Sequence, residues 1–283
     1  MKRQALRGPV DLSSFYPPRP RESRKGDYGR VIIAGGSDQY AGCLAFNGLA
    51  ALRAGADLSI IIAPRRAADI VAGYSPDLIT APCATAFPDP RVAREFLTRA
   101  DSLIIGCGVM RTRAAHSAVL SMIKTCKVPI VADAESLHAL ASKPSVGDGK
   151  RMLLTPNAGE YQVLTGKAWP SSRAERSTAA RSLARQYSST IIVKGAEDFI
   201  SDGTRTIIDH AGSPHMTKGG YGDLLAGVAG ALLARRHTPF ESAKAAAFIV
   251  GRAGEMASKK FGESMIASDV LEILPAIIHH TQH

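Results

Sequence analysis

Short runs of branched aliphatic residues recur along this chain with helix-length stretches between them: residues 31–33, 58–62, 103–105, 130–131, 152–154 and 191–193. Their hydrophobicity is continuous rather than alternating, so each run has to be covered on both faces. That requirement selects a largely parallel sheet between two layers of helices, an α/β sandwich. Residues 199–208 break the rule. Phe199-Ile200-Ser201 and Thr206-Ile207-Ile208 flank Asp202-Gly203, the signature of a hairpin, so the sheet is expected to turn antiparallel at one edge. Residues 222–236, 241–260 and 268–278 read as a helical tail, with Ser268-Asp269 suited to cap the last helix.

Composition matters here mainly for what it excludes. With 45% hydrophobic and 21% charged residues, the chain has the make-up of a protein with a substantial core. Its formal charge of +10 invites a nucleic-acid reading, but half of that excess lies in residues 1–30, without aromatic interleaving or a basic stripe further on. Anionic small substrates suit the charge equally well, and no nucleic-acid partner is expected. The first 25 residues, with Pro17-Pro18-Arg19-Pro20, read as a basic extended arm, and residues 26–283 as one catalytic domain. Cys43, Cys83, Cys107 and Cys126 show no C-x-x-C spacing and read as buried thiols of a reducing compartment. No apolar run is long enough to span a bilayer and no signal segment opens the chain, so a cytoplasmic protein is expected.

The chemistry should sit where parallel strands end and helices begin. Gly219-Gly220-Tyr221-Gly222-Asp223 follows a loop and opens a small-residue helix. Its glycines let the backbone approach a ligand, and successive N–H groups at a helix start cradle an anion. Asp223 lies in that first turn, placed to take a proton from an attacking hydroxyl while the amides hold developing charge. Thr155-Pro156-Asn157-Ala158-Gly159-Glu160 follows another strand. There Asn157 and Glu160 have the spacing of a capping box; they equally suit a water-mediated Mg²⁺ site at Glu160 with Asn157 facing substrate, and the two roles are compatible. Lys194 and Gly195 end a buried strand, where a lysine can neutralise a phosphate. Asp133 and Gly106-Cys107-Gly108 occupy the same rim. Gly35-Gly36 fails the G-x-G-x-x-G spacing, and there is no P-loop, nucleophile elbow or zinc-spaced His/Cys cluster; His279, His280 and His283 fall in the C-terminal tail.

Together these stretches resemble the ribokinase-like superfamily and, within it, the ADP- or ATP-dependent NAD(P)H-hydrate dehydratases. The similarity runs through Lys25-Gly26-Asp27-Tyr28-Gly29-Arg30-Val31, Ala51-Leu52-Arg53-Ala54-Gly55-Ala56, the Gly106 and Gly108 turn, Asp133-Ala134-Glu135, Thr155-Pro156 with Gly159-Glu160, Lys194-Gly195-Ala196 and residues 219–227. The resemblance implies a three-layer ribokinase-like fold. It implies that Lys194, Gly195, Ala196, Glu197, Asp198 and Gly222 bind ADP or ATP, and that Cys43, Gly108, Asn157 and Asp223 line the site for NAD(P)H hydrate. It assigns Glu160 to Mg²⁺, and Gly220, Tyr221 and Gly222 to the transferring phosphoryl group with Asp223 as base. A homo-oligomer, with a tetramer as one form, is implied as well, and neither nucleic acid nor membrane as partner. The chain departs from the family pattern at Tyr221 (a threonine in relatives), Asn157 (often histidine), Cys43 (alanine) and Cys107 (proline). The Tyr221 ring bears on pocket width and nucleotide choice. Asn157 with Glu160 matches the N-x-x-E of the wider ribokinase-like kinases, which keeps an ATP-dependent kinase of a vitamin precursor or sugar as the alternative. A nucleotide-binding regulator without catalysis is a third reading.

Overall fold

In the computed structural model, which describes residues 10–280, every one of the six aliphatic runs is a strand and helices fill the spaces between them. The chain runs β1 (Arg30–Ala34), α1 (Gly42–Arg53), β2 (Leu58–Pro64), α2 (Arg65–Ala72), β3 (Ile79–Cys83), α3 (Pro90–Leu97), β4 (Ser102–Ile105), α4 (Arg113–Thr125), β5 (Ile130–Ala132), α5 (Glu135–Ser142), β6 (Met152–Leu154), α6 (Ala158–Thr165), α7 (Arg173–Gln186), β7 (Thr190–Val193), β8 (Asp198–Ser201), β9 (Thr206–Asp209), α8 (Tyr221–Ala234), α9 (Pro239–Phe261) and α10 (Ala267–His280). Among the described residues the strands form one sheet in the order β3-β2-β1-β4-β5-β6-β7-β8-β9. Strands β3 through β7 pair in parallel. The hairpin β8–β9 continues the sheet antiparallel from β7, as its turn residues require.

Two-sided burial explains the aliphatic runs residue by residue. On β1, Val31 and Ile33 face the core beneath α1, α8, α9 and α10, while Ile32 and Ala34 face the core beneath α3 to α7. On β4 the same division separates Ile104 from Leu103 and Ile105. All of these side chains are essentially inaccessible. Strand β3 was not among the expected runs. It is an edge strand, with Ile79 exposed and Pro82 inside it, so it needs neither continuous hydrophobicity nor a full set of N–H donors.

From Val10 onward, the segment expected as an extended arm is docked. Val10, Leu12, Phe15 and Tyr16 are buried in the α8-side core, and Arg235 at the end of α8 donates to Phe15 O at 2.9 Å. Residues 1–9, with Lys2, Arg3 and Arg7, lie outside the described range, as does His283.

The strand order fixes where a ligand can enter. The chain lays β2 and β3 on one side of β1, then starts again with β4 on the other, so the connections leave β1 and β4 in opposite directions. The crevice beyond the carboxyl ends of those two strands is the topological switch point at which open α/β sheets bind ligands.

Candidate active site

The loops leaving β1, β4, β5, β6 and β7 are stitched into one rim by backbone hydrogen bonds. Gly36 N donates to Cys107 O (2.8 Å), Gly106 N to Ala34 O (3.2 Å), Asp133 N to Ile105 O (3.2 Å), Thr155 N to Ala132 O (3.1 Å) and Lys194 N to Pro156 O (2.8 Å). Side chains on these loops are thereby held by the sheet itself rather than by loose connections, which suits a preorganised site.

Helix α8 brings its amino end to this rim. Gly220 caps it at φ +100°, a conformation that favours glycine, and a Cβ there would also collide with Ala267 and Phe46. Leu224 is the first residue whose amide returns to the helix, to Gly220 O at 3.1 Å. The N–H groups of Tyr221, Gly222 and Asp223 therefore lack intrahelical acceptors and sit at the positive end of the helix dipole. Gly219 is exposed and meets nothing within 4 Å of where its Cβ would be. Helix α8 is seated against α1 by its small residues, Gly227 lying directly over the Asn47 carbonyl. Asn47 in turn donates from Nδ2 to Asp223 O at 2.8 Å.

Opposite these amides stands a buried polar cluster that the sequence showed only as separate strand ends. Lys194 Nζ donates to Asp133 Oδ1 at 2.8 Å, and Thr155 Oγ1 donates to the same oxygen at 2.7 Å. A Cβ on Gly222 would stand 3.3 Å from Lys194 Nζ and 3.9 Å from Asp133 Oδ2, so the ammonium and the helix terminus face one space. Burial works against the Lys194 charge, but Asp133 and Glu160 outweigh it and hold the ammonium above its ordinary range. Donor atoms of Cys107, Asp133 and Asp223 lie within 4.8 Å of one another. Burial, reinforced by the Asp133 charge, pushes the Asp223 carboxyl up to about 7. Such a group exchanges protons near neutrality, as a general base must.

Backbone strain helps spread the acidic residues at this point. Between Asp133 and Glu135, Ala134 adopts φ +50°, ψ −125°, which a non-glycine residue enters only at a cost of about 1–3 kcal/mol. Asp133 turns to Lys194, whereas Glu135 accepts from Arg111 Nε (3.0 Å) and contacts His116 Nε2 (2.6 Å). The sequence does not single out this second cluster, since Arg111 and His116 lie about twenty residues before Glu135 and meet it only in the fold.

The remaining expected residues divide between the rim and its supports. Asn157 and Glu160 form the complete capping box of α6: Glu160 N donates to Asn157 Oδ1 at 2.9 Å and Asn157 N to Glu160 Oε2 at 2.8 Å. Glu160 also lies 3.9 Å from Lys194 Nζ, so the cap holds a carboxylate at the edge of the anion space. Gly195 and Ala196 are exposed on the adjoining turn. That turn is shaped by Asp198, which accepts from Gly195 N at 3.0 Å and is pushed up to about 7 by burial. Glu197 is engaged by Arg173 and by His210 Nδ1 at 3.1 Å. The Cys43 thiol lies against Gly108, whose Cβ would be 2.5 Å from the sulfur. Burial and the Asp223 charge push Cys43 up to about 12, so it lines the crevice as a neutral thiol. Tyr221 does not enter the pocket: its ring is buried, with Oη 3.4 Å from Met265 O, and only its backbone faces the anion space.

A magnesium ion would be compatible with this donor set at Glu160. Mg²⁺ keeps several waters and takes few carboxylates, and Asp133 is already neutralised by Lys194. Glu160, whose carboxyl burial pushes up despite Lys194, is the carboxylate a nearby cation would relieve, held through water.

The chain matches the family model described as NAD(P)H-hydrate dehydratase over residues 31–276. An ADP-dependent (S)-NAD(P)H-hydrate dehydratase from Cenarchaeum symbiosum is 38% identical over 278 residues, covering 96% of each chain. A bifunctional NAD(P)H-hydrate repair enzyme from Pyrobaculum aerophilum is also 38% identical; the match covers 96% of this chain but 54% of that one, so the chain spans about half the bifunctional protein. Among solved structures, an ADP/ATP-dependent NAD(P)H-hydrate dehydratase from Bacillus subtilis, co-crystallised with ATP/Mg²⁺, superimposes with a TM-score of 0.83 at 23% identity, covering 98% of this chain and 100% of that one.

Proposed function

Since the chain belongs to the NAD(P)H-hydrate dehydratase family, we propose that the switch-point crevice dehydrates (S)-NAD(P)H hydrate at the expense of ADP or ATP, restoring the reduced nicotinamide. The observation that carries the reading is convergence: three helix amides with no acceptor among the described residues, the Lys194 ammonium and the Asp223 carboxylate all border one space.

A hydroxyl on the hydrated ring is a poor leaving group, and phosphorylation makes it a good one. Asp223 accepts the hydroxyl proton as that oxygen attacks the terminal phosphorus. The bond from phosphorus to the bridging oxygen breaks, releasing AMP from ADP or ADP from ATP. The amides of residues 221–223 and Lys194 hold the charge on the transferring group. The ring nitrogen lone pair then expels phosphate, and loss of a proton from the neighbouring ring carbon restores the dihydropyridine. When bound, Mg²⁺ supplies charge neutralisation at the nucleotide phosphates, held through water by Glu160. Gly195 and Ala196 offer exposed backbone to the nucleotide, while Asp198 and Glu197 keep their turn in shape. Cys43, Gly108 and Asn157 border the nicotinamide. A cytoplasmic setting, consistent with four free thiols among the described residues, and a homo-oligomeric assembly belong to the same proposal.

Purified protein given hydrated NADH, Mg²⁺ and either nucleotide should restore the near-ultraviolet absorbance of NADH while releasing inorganic phosphate. A stable phosphorylated product would point to a kinase instead, and no recovery with ADP or ATP would reject the reading.

A further inference from the structure

Beside the crevice, one face of α4 is left uncovered by the described residues and forms a wall of a groove of about 1310 Å³. The facing wall is the end of α5, the 3-10 turn Pro144–Gly147 and the segment through Lys150. Its charge is one-sided: Arg111, Arg113, Lys124, Lys143 and Lys150 line it against the single acidic residue Asp148. Arg111 is held by Glu135, and Lys150 donates to Lys124 O and Cys126 O at 2.8 Å each. Arg113, Lys124 and Lys143 make no ion pair among the described residues. A structural array of cations would be expected to alternate with acids, whereas unpaired cations facing one concavity raise its potential for anions. Thr112, Ser117, Ser121, Ser142 and Ser145 add hydroxyls along the same walls.

Position ties this groove to the crevice. Arg111 follows Gly108, which borders the proposed nicotinamide site, by three residues, and α4 carries the groove about 20 Å away from the rim. A hydrated dinucleotide whose ring sits at the crevice still has a diphosphate and an adenosine to place. The groove is large enough for them, and its charge suits the diphosphate.

We propose that this groove binds the adenosine-diphosphate half of the hydrated dinucleotide. Arg113 takes the diphosphate, and Lys124 and Lys143, further from the rim, select for the additional ribose phosphate of NADPH hydrate. The inference rests on the dehydratase reading for its substrate, but the groove can be tested without turnover.

The test uses the full chain and the double variant Arg113→Glu/Lys143→Glu, two exposed residues outside the catalytic cluster. With the nucleotide site saturated by a non-hydrolysable ATP analogue, calorimetry measures the affinity for ADP-ribose carrying the additional phosphate. Reversing two charges should weaken it by about tenfold or more. In turnover, the KM for NADPH hydrate should rise by a similar factor with kcat within about twofold, and hydrated NMNH, which lacks the adenosine half, should be processed equally by both proteins. Unchanged affinity and KM would overturn the proposal, as would an equal loss on hydrated NMNH or a change of oligomeric mass with affinity intact. If the parent protein turned over no hydrate, the dehydratase reading would fall, and the calorimetric arm would still decide the groove.

Discussion

Replacing Asp223 by asparagine should abolish turnover and at the same time make the protein more stable. The carboxyl is partly buried beside Asp133, and the two causes, burial first and the neighbouring charge second, carry it from its ordinary 3.8 to about 7. Below pH 4 the folded and unfolded chains both hold the proton, and the group contributes nothing. Between pH 4 and 7 the unfolded chain ionises while the folded one keeps its proton, so stability falls as pH rises; above 7 the loss is constant. A displacement of that size corresponds to about 4 kcal/mol, and allowing for solvent access to the side chain leaves roughly 2 kcal/mol at pH 7.5. Asparagine has the same shape and no charge to desolvate. Urea melts of both proteins from pH 4 to 8 should coincide at the acid end, separate between pH 4 and 7, and stay about 2 kcal/mol apart above that. The same carboxyl acting as base should make kcat/KM rise with pH and level off above about 7. If the melts stay parallel across that range, or the asparagine variant is the less stable at pH 7.5, the Asp223 carboxyl is not under strain and the argument for its basicity fails.

Lys194→Ala should raise the apparent KM for nucleotide by about tenfold or more. It should also lower stability by about 3 kcal/mol, because Asp133 would be left buried with no cation beside it and only the Thr155 hydroxyl and the weakly donating Cys107 thiol as side-chain partners among the described residues; steady-state kinetics with a denaturant melt reads both, and an unchanged KM would remove Lys194 from the phosphate space. Ala134→Gly should stabilise the fold by about 1 kcal/mol, the relieved strain exceeding the added chain entropy, and a measurable loss of stability would show that the position is unstrained.

The sandwich was legible in the sequence because parallel strands covered by helices on both faces must be continuously apolar, as Ile32 and Ile33 show by pointing into different cores. The hairpin and the α6 capping box were legible because turn and cap chemistry is local. Strand β3 escaped detection because an edge strand is released from the hydrophobic pattern, and the docking of Leu12 and Phe15 did because a short proline-rich segment shows no period. At the site, the glycine turn and Asp223 could be read from spacing alone. The Asp133–Lys194 pair could not, since its members are 61 residues apart and meet only through the strand order. Tyr221 shows the opposite limit: the sequence marks the departure, but only the packing against Met265 reveals that the ring leaves the pocket.

Dehydration by this route requires that the ring oxygen itself receive the phosphoryl group. Labelling the hydroxyl of hydrated NADH with heavy oxygen and analysing the products of one turnover by mass spectrometry tests this directly. The label should appear in inorganic phosphate, one labelled oxygen per NADH restored; label recovered in water, with unlabelled phosphate, would mean that the ring loses its hydroxyl without ever being phosphorylated.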